Sequence, residues 1–283
     1  GGRSVSSVGV VNDPLTYYMG TAGGGLWNTT NAGSEWFNIS DDYFKTSSVG
    51  AIAVSESDSR IIYVGMGEHS PRGVTTSYGD GIYKSTDAGE TWEHLGLDNT
   101  QQVSRIIIHP DDNNIVYVAA QGAINGPTKE RGVYKSIDGG KTWKNVLFVN
   151  ELSGASELSI DINNPKVLYA TMWEHQRLPW KVISGGEGSG VYKSTDGGEN
   201  WFKIENGLPD ELGKLAISVS RANSNKVYLL AESDTNKRLG GLFVSNNAGE
   251  SWSRVSKFAE LTSRAWYYIC LLYTSPSPRD LRA

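Results

Sequence analysis

Four carboxylates, Glu68, Asp80, Glu130 and Glu174, fall in the longest polar excursions of this chain. Hydrolysis of a glycosidic bond needs two carboxyl groups roughly 5 to 9.5 Å apart, one acting as acid and the other as base or nucleophile. These four are the acids placed to converge, although their separations do not follow from sequence. The richest excursion, WEHQRLPWKVISGGEGSG, adds Trp173, His175, Arg177 and Trp180, and the one before Asp80 adds Arg72 and Tyr78. Aromatic platforms with polar neighbours suit sugar rings or peptide side chains. The plainer alternative is that both tryptophans cover a surface and Arg177 pairs with a nearby acid.

Other chemistries are disfavoured. His69, His94, His109 and His175 lie in separate segments without a close pair such as H-x-x-x-H, so no metal and no cofactor is expected. Lys and Arg number 26 against 31 Asp and Glu, a net charge of −5 spread without long runs. No basic stripe exists to draw in nucleic acid, and no long apolar run predicts membrane insertion. The one cysteine, Cys270, cannot staple the body of the fold.

The elements that must position these residues repeat. A turn written STDAGETW over residues 85–92 recurs at 29–36, 136–143, 194–201 and 245–252, at intervals of 51 to 58 residues. Ahead of each turn stand two strand-like runs and a GVYKST-like run, and after it a short strand containing or following a tryptophan. Four strands per repeat is the blade of an all-β propeller, a repeat unit that buries its faces only against neighbours. The blades are expected at about 4–40, 48–97, 103–149, 155–206 and 214–257, with a sixth opening at 261–269 and the whole region spanning 1–269. Residues 270–283, CLLYTSPSPRDLRA, leave the repeat and are expected to be a non-native or disordered tail.

Within the turn, Ser85 and Asp87 can bond backbone groups across the bend, Gly89 can take a positive φ, and Trp92 can wedge between sheets. The same roles fall to Ser136, Asp138, Gly140 and Trp143, and to Ser194, Asp196, Gly198 and Trp201. In the first and fifth copies Asn31 and Asn247 replace the acid, ahead of Gly33 and Trp36 and of Gly249 and Trp252. A turn tolerates that exchange and a general acid does not, so these positions read as structural. Links between the second and third strands, at 68–80, 122–131, 173–190 and 233–239, emerge on one face opposite the turns. That loop face is the candidate site.

The turn resembles the Asp-box, or BNR repeat, of sialidases, sortilin-type receptors and xyloglucan-degrading glycoside hydrolases. Segments such as YYMGTAGGGLWNTTNAGSEW, RIIIHPDDNNIVYVAAQG and ERGVYKSIDGGKTW are similar to large bacterial propellers of the sortilin N-terminal type, often named glycosyl hydrolases. The resemblance implies export to the cell surface, periplasm or medium, and further blades beyond these five. It also implies a polysaccharide or peptide ligand on the loop face. In xyloglucan-cleaving relatives a catalytic Asp stands in a T-D-x-G-G context; here the stretch is Thr21, Ala22, Gly23, Gly24, Gly25, with Ala22 at the acid position. The Arg-Ile-Pro sequence of sialidases is absent. The reading is therefore binding without chemistry of its own, with glycoside hydrolysis and a protein-interaction scaffold as alternatives.

Overall fold

The computed structural model describes residues 3–72, 76–233, 236 and 238–271. The expected loops at 68–80 and 233–239 fall partly outside that set, as does 272–283 of the tail.

Five antiparallel sheets follow one another along the chain as the blades of a β-propeller. The first contains β1 (Ser4–Val10), β2 (Asp13–Thr21), β3 (Leu26–Thr29) and β4 (Phe37–Asn38). The second contains β5 (Val49–Val54), β6 (Ile62–Met66), β7 (Ile82–Ser85) and β8 (Glu93–His94). The third runs β9 (Val103–Ile108), β10 (Val116–Ala120), β11 (Gly132–Ser136) and β12 (Lys144–Leu147). In the fourth, β13 (Ser153–Ile160), β14 (Leu168–Arg177), β16 (Gly190–Ser194) and β17 (Phe202–Ile204) form the sheet, while β15 (Val182–Ser184) pairs with the end of β14. The fifth is β18 (Leu215–Ser220), β19 (Asn223–Ala231), β20 (Gly241–Ser245) and β21 (Ser253–Ser256).

Period-2 alternation explains how one sheet serves two neighbours. On β6, Val64 packs toward the first blade with Val8, Leu26 and Trp92, while its neighbour Tyr63 packs toward the third with Val103, Val116 and Val118. Similar layers join the third blade to the fourth and the fourth to the fifth. Inner strands approach so closely that a Cβ on Gly154 would lie 2.0 Å from the Gln121 carbonyl oxygen of the preceding blade.

All five turns share one hydrogen-bond pattern. In the second, Ser85 Oγ donates to Asp87 at 2.7 Å and accepts from Gly89 N–H at 2.8 Å, while Asp87 accepts from Thr91 N–H at 2.9 Å. Asn247 replaces the acid with the same geometry, accepting from Ser245 at 2.8 Å and from Ser251 N–H at 3.0 Å. Asn31 does so with Thr29 at 2.9 Å and Glu35 N–H at 2.9 Å. The turn glycines sit at φ between 84° and 95°, where a side chain is strained. These donors hold the carboxyls of Asp87, Asp138 and Asp196 down at about 2, as permanent acceptors. Trp92 Nε1 donates to Ile39 O of the preceding blade at 3.0 Å, and Trp143 Nε1 to Leu95 O at 2.9 Å.

A second device ties blades together. In the first four blades the buried tyrosine of the second strand donates its hydroxyl to a carbonyl in the turn of the next blade. The pairs are Tyr18 to Ala88 at 3.0 Å, Tyr63 to Gly139 at 2.9 Å, Tyr117 to Gly197 at 2.8 Å and Tyr169 to Ala248 at 2.9 Å.

The stretch 261–269, expected to open a sixth blade, contains no strand. It follows a 3-10 turn at Ala259–Thr262 into the short helix α1 (Ala265–Tyr268). Its apolar residues Ala265 and Ile269 bury against Ala216 and Leu230, so they cover the outer face of the fifth blade. Contact with an existing sheet takes the place of an unpaired strand.

Candidate functional site

The loop from 173 to 190 is more ordered than a plain excursion. β14 continues through Arg177, turns at 178–181 and returns as β15, with His175 opposite Ser184 and Arg177 opposite Val182. Pairing at that register turns Trp173 inward. The indole is fully buried, its Nε1 donating to Ser184 Oγ at 3.0 Å, its ring stacked on His175 at 4.1 Å, and the Lys214 ammonium 4.9 Å from its face. Trp173 and His175 are therefore corrected from ligand platform to internal packing: both rings are already covered by protein. Trp180 at the hairpin tip is 77% exposed.

Arg131, which sequence reasoning treated only as a loop boundary, braces this region from beneath. Fully buried, it donates to the carbonyls of Gln121 at 3.2 Å, Leu152 at 2.8 Å, Gly126 at 3.1 Å and also Ala123. Its guanidinium lies 3.1 Å from the His175 ring. Burial lowers the Arg131 pKa to about 10, and burial with that cation beside it holds His175 well below its usual value, so His175 is neutral. An arginine just ahead of a GVYKS strand is the sequence signal that marks it.

Each predicted acid is engaged by its own partners. Glu68 is 1% exposed and pairs with Arg3 and with Arg72, whose Nε lies 3.3 Å away. Asp80 accepts from Thr46 Oγ1 at 2.7 Å and Tyr83 OH at 2.6 Å. Glu130 accepts the Thr128 hydroxyl, and Glu174 accepts Gly188 N–H at 2.9 Å. Glu68 and Asp80 thus brace the second blade's loop, while Glu130 and Glu174 belong to the third and fourth. Arg72 is tied to Glu68, and Arg177 lies on the β14–β15 hairpin beside Trp180. Among the described residues no three His, Cys, Asp or Glu come together as a metal site.

Two cavities open near these groups. One, of about 430 Å³, lies between the first two blades and is lined by residues including Asp41, Lys45, Ser48, Ser77 and Tyr78. Tyr78 is 57% exposed.

The other, of about 310 Å³, faces the inner strands and gathers Arg3, Arg105, Glu157, Lys214 and His69. Arg105 Nε is 3.2 Å from Glu157, whose carboxyl is raised by burial against that cation's pull. Lys214, 3% exposed, donates to Trp266 O at 3.1 Å and is lowered by burial to about 8. Burial also carries His69 down to about 3, so its ring is neutral. Sequence reasoning missed this cluster. The signal was a charge interrupting inner-strand runs: Arg105 in SRIII, Glu157 in ASELSI and Lys214 in GKLAIS.

Comparisons with known proteins agree with this architecture. A family model described as "Sortilin, neurotensin receptor 3" matches residues 80–206. A xyloglucanase of Paenibacillus sp is 23% identical over 275 residues, covering 84% of this chain and 24% of the relative. A xyloglucanase of Acetivibrio thermocellus is 25% identical over 268 residues, 84% of this chain and 29% of the relative. Among solved structures, an ancestral GH74 enzyme superposes with a TM-score of 0.68 at 19% identity, over 89% of this chain and 33% of that one. The Niastella koreensis GH74 enzyme gives 0.60 at 22%, over 85% and 36%. The chain is thus similar to sortilin-like and glycoside hydrolase-like propellers, and spans 24% to 29% of the length of these curated relatives.

Proposed function

We propose that this chain is part of an exported β-propeller whose loop face binds an extended polysaccharide, a β-glucan of the xyloglucan class, without chemistry of its own. The single observation that carries the location is Trp180, 77% exposed at the tip of a hairpin whose base is fixed by Arg131 and Trp173. A solvent-facing indole on a braced hairpin offers a flat apolar surface to the C–H face of a sugar. The polysaccharide is supported by similarity to two xyloglucanases across 84% of the chain. The five repeated turns, three with an acid and two with Asn in its place, act as Asp-boxes that build blades, and 1–269 is one propeller region.

Binding rather than hydrolysis is favoured because Glu68, Asp80, Glu130 and Glu174 are each already occupied as hydrogen-bond or ion-pair acceptors. The relatives' names support the alternative, in which this chain contributes to cleavage. Affinity electrophoresis through gels containing xyloglucan, with a reducing-end assay on the same samples, separates the two. Retardation that disappears in Trp180→Ala, with no new reducing ends, is the expected result. Reducing ends that appear with wild type and vanish in Glu174→Gln would establish hydrolysis, and retardation by no polysaccharide would overturn the reading.

A further inference from the structure

We infer that the cavity between the first and second blades is a subsite for a single neutral pyranose unit. The inference rests on the reading that the loop face holds a polysaccharide, and names a place for one of its sugars that lies apart from Trp180. The cavity, about 430 Å³, falls within the roughly 300 to 1,000 Å³ of small-molecule sites. It is built by the link from β4 to β5 and by the end of the β6–β7 loop.

Three observations fit a sugar. Tyr78 leaves more than half of its surface in solvent on the cavity wall, although burying an aromatic ring is favourable, so it presents an unused stacking face. Ser48 lines the same cavity, is 1% exposed, and its Oγ has no hydrogen-bond partner among the described residues. A buried unpaired hydroxyl is costly to leave unmade, and a sugar hydroxyl supplies either the donor or the acceptor. Asp41 and Lys45 add one charge of each sign, which suits the mixed donors and acceptors of an uncharged ring and gives an anion no net attraction.

The walls are held before any ligand arrives. Phe44 packs on Tyr83 at 4.4 Å and on Trp92 at 5.2 Å. Thr46 is tied to Asp80 at 2.7 Å, Lys45 N–H donates to Tyr83 OH at 3.2 Å, and the Ser48 carbonyl accepts Gly67 N–H at 2.7 Å. Asp80, singled out by sequence as an acid, thereby serves the cavity as a brace. A preformed polar pocket beside an exposed ring loses little freedom on binding.

The test is calorimetry with xyloglucan oligosaccharides on the wild-type chain and on Tyr78→Ala, Ser48→Ala and Trp180→Ala, with a thermal unfolding curve for each. Tyr78→Ala and Ser48→Ala are each expected to weaken binding by about 3- to 10-fold. Ser48→Ala should do so with an unfolding temperature equal to wild type or higher, because it removes an unpaired buried hydroxyl; a merely structural serine would not combine those two results. Wild-type affinity in both variants, while Trp180→Ala binds more weakly, would overturn the subsite and leave the loop-face reading standing. Failure of the wild-type chain to bind any β-glucan would overturn both.

Discussion

Removing single hydroxyls from the tyrosines that link the blades should produce a graded stability series. The changes are Tyr18→Phe, Tyr63→Phe, Tyr117→Phe and Tyr169→Phe, with Tyr228→Phe as the internal control. Tyr228 holds the equivalent place on β19, but its ring is only half-buried and its hydroxyl makes no hydrogen bond among the described residues. The cost depends on what each carbonyl keeps. Gly139 O still accepts from Lys84 Nζ at 3.0 Å and Ala248 O from Lys193 Nζ at 2.7 Å, so Tyr63→Phe and Tyr169→Phe lose one net hydrogen bond, about 0.5–1.5 kcal/mol. Ala88 is exposed, and water can replace the Tyr18 hydroxyl at similar cost.

Among the described residues Gly197 O has no such second donor, because Lys135 is drawn instead to Glu199 at 2.6 Å. Tyr117→Phe therefore leaves a half-buried carbonyl unpaired and should cost the most, about 1–3 kcal/mol. Tyr228→Phe should be neutral. Urea unfolding followed by tryptophan fluorescence reads the series as shifts in midpoint at constant slope. Equal losses at all five positions, or a Tyr228→Phe loss matching that of Tyr117→Phe, would refute the idea that these hydroxyls join neighbouring blades.

The same tyrosines predict an alkaline limit. Burial raises Tyr18 and Tyr117 from 10.0 to about 12, and Tyr63 and Tyr169 further, so the fold favours the protonated phenol. Stability should be intact below about pH 10, where unfolded tyrosine is also protonated, and decline as pH rises from 10 towards 12. A urea midpoint flat across that window would contradict it. At the inner strands, Gly154→Ala would drive a methyl to 2.0 Å from the Gln121 carbonyl and should cost about 1–3 kcal/mol or more, whereas Gly23→Ala, with no atom within 4 Å, should be near neutral. Thermal melts of the two variants that coincide would refute that difference.

The repeat was legible because its residues act locally. A Ser-x-Asp-x-Gly turn followed by a tryptophan encodes its own hydrogen bonds within eight residues, and period-2 runs encode strands whatever lies beside them. Residues whose role depends on distant partners were harder to read. Trp173 and Trp180 look alike in sequence, yet the β14–β15 pairing sends one under Lys214 and the other into solvent. Glu68 looked like a free acid until Arg3, 65 positions earlier, was found against it. The charges of the inner cavity come from separate blades, so no local spacing records their meeting. Residues 261–269 carried strand-like residues, but the exposed apolar face of the fifth blade took them as a covering helix.

The central claim, a glycan-binding loop face, is tested most directly by hydrogen exchange of the chain with and without xyloglucan. Slowed exchange confined to the loop-face segments 41–48, 76–80, 123–130 and 174–188, with the five repeated turns on the opposite face unchanged, is the predicted result. Protection centred on those turns, or none at saturating polysaccharide, would contradict the account.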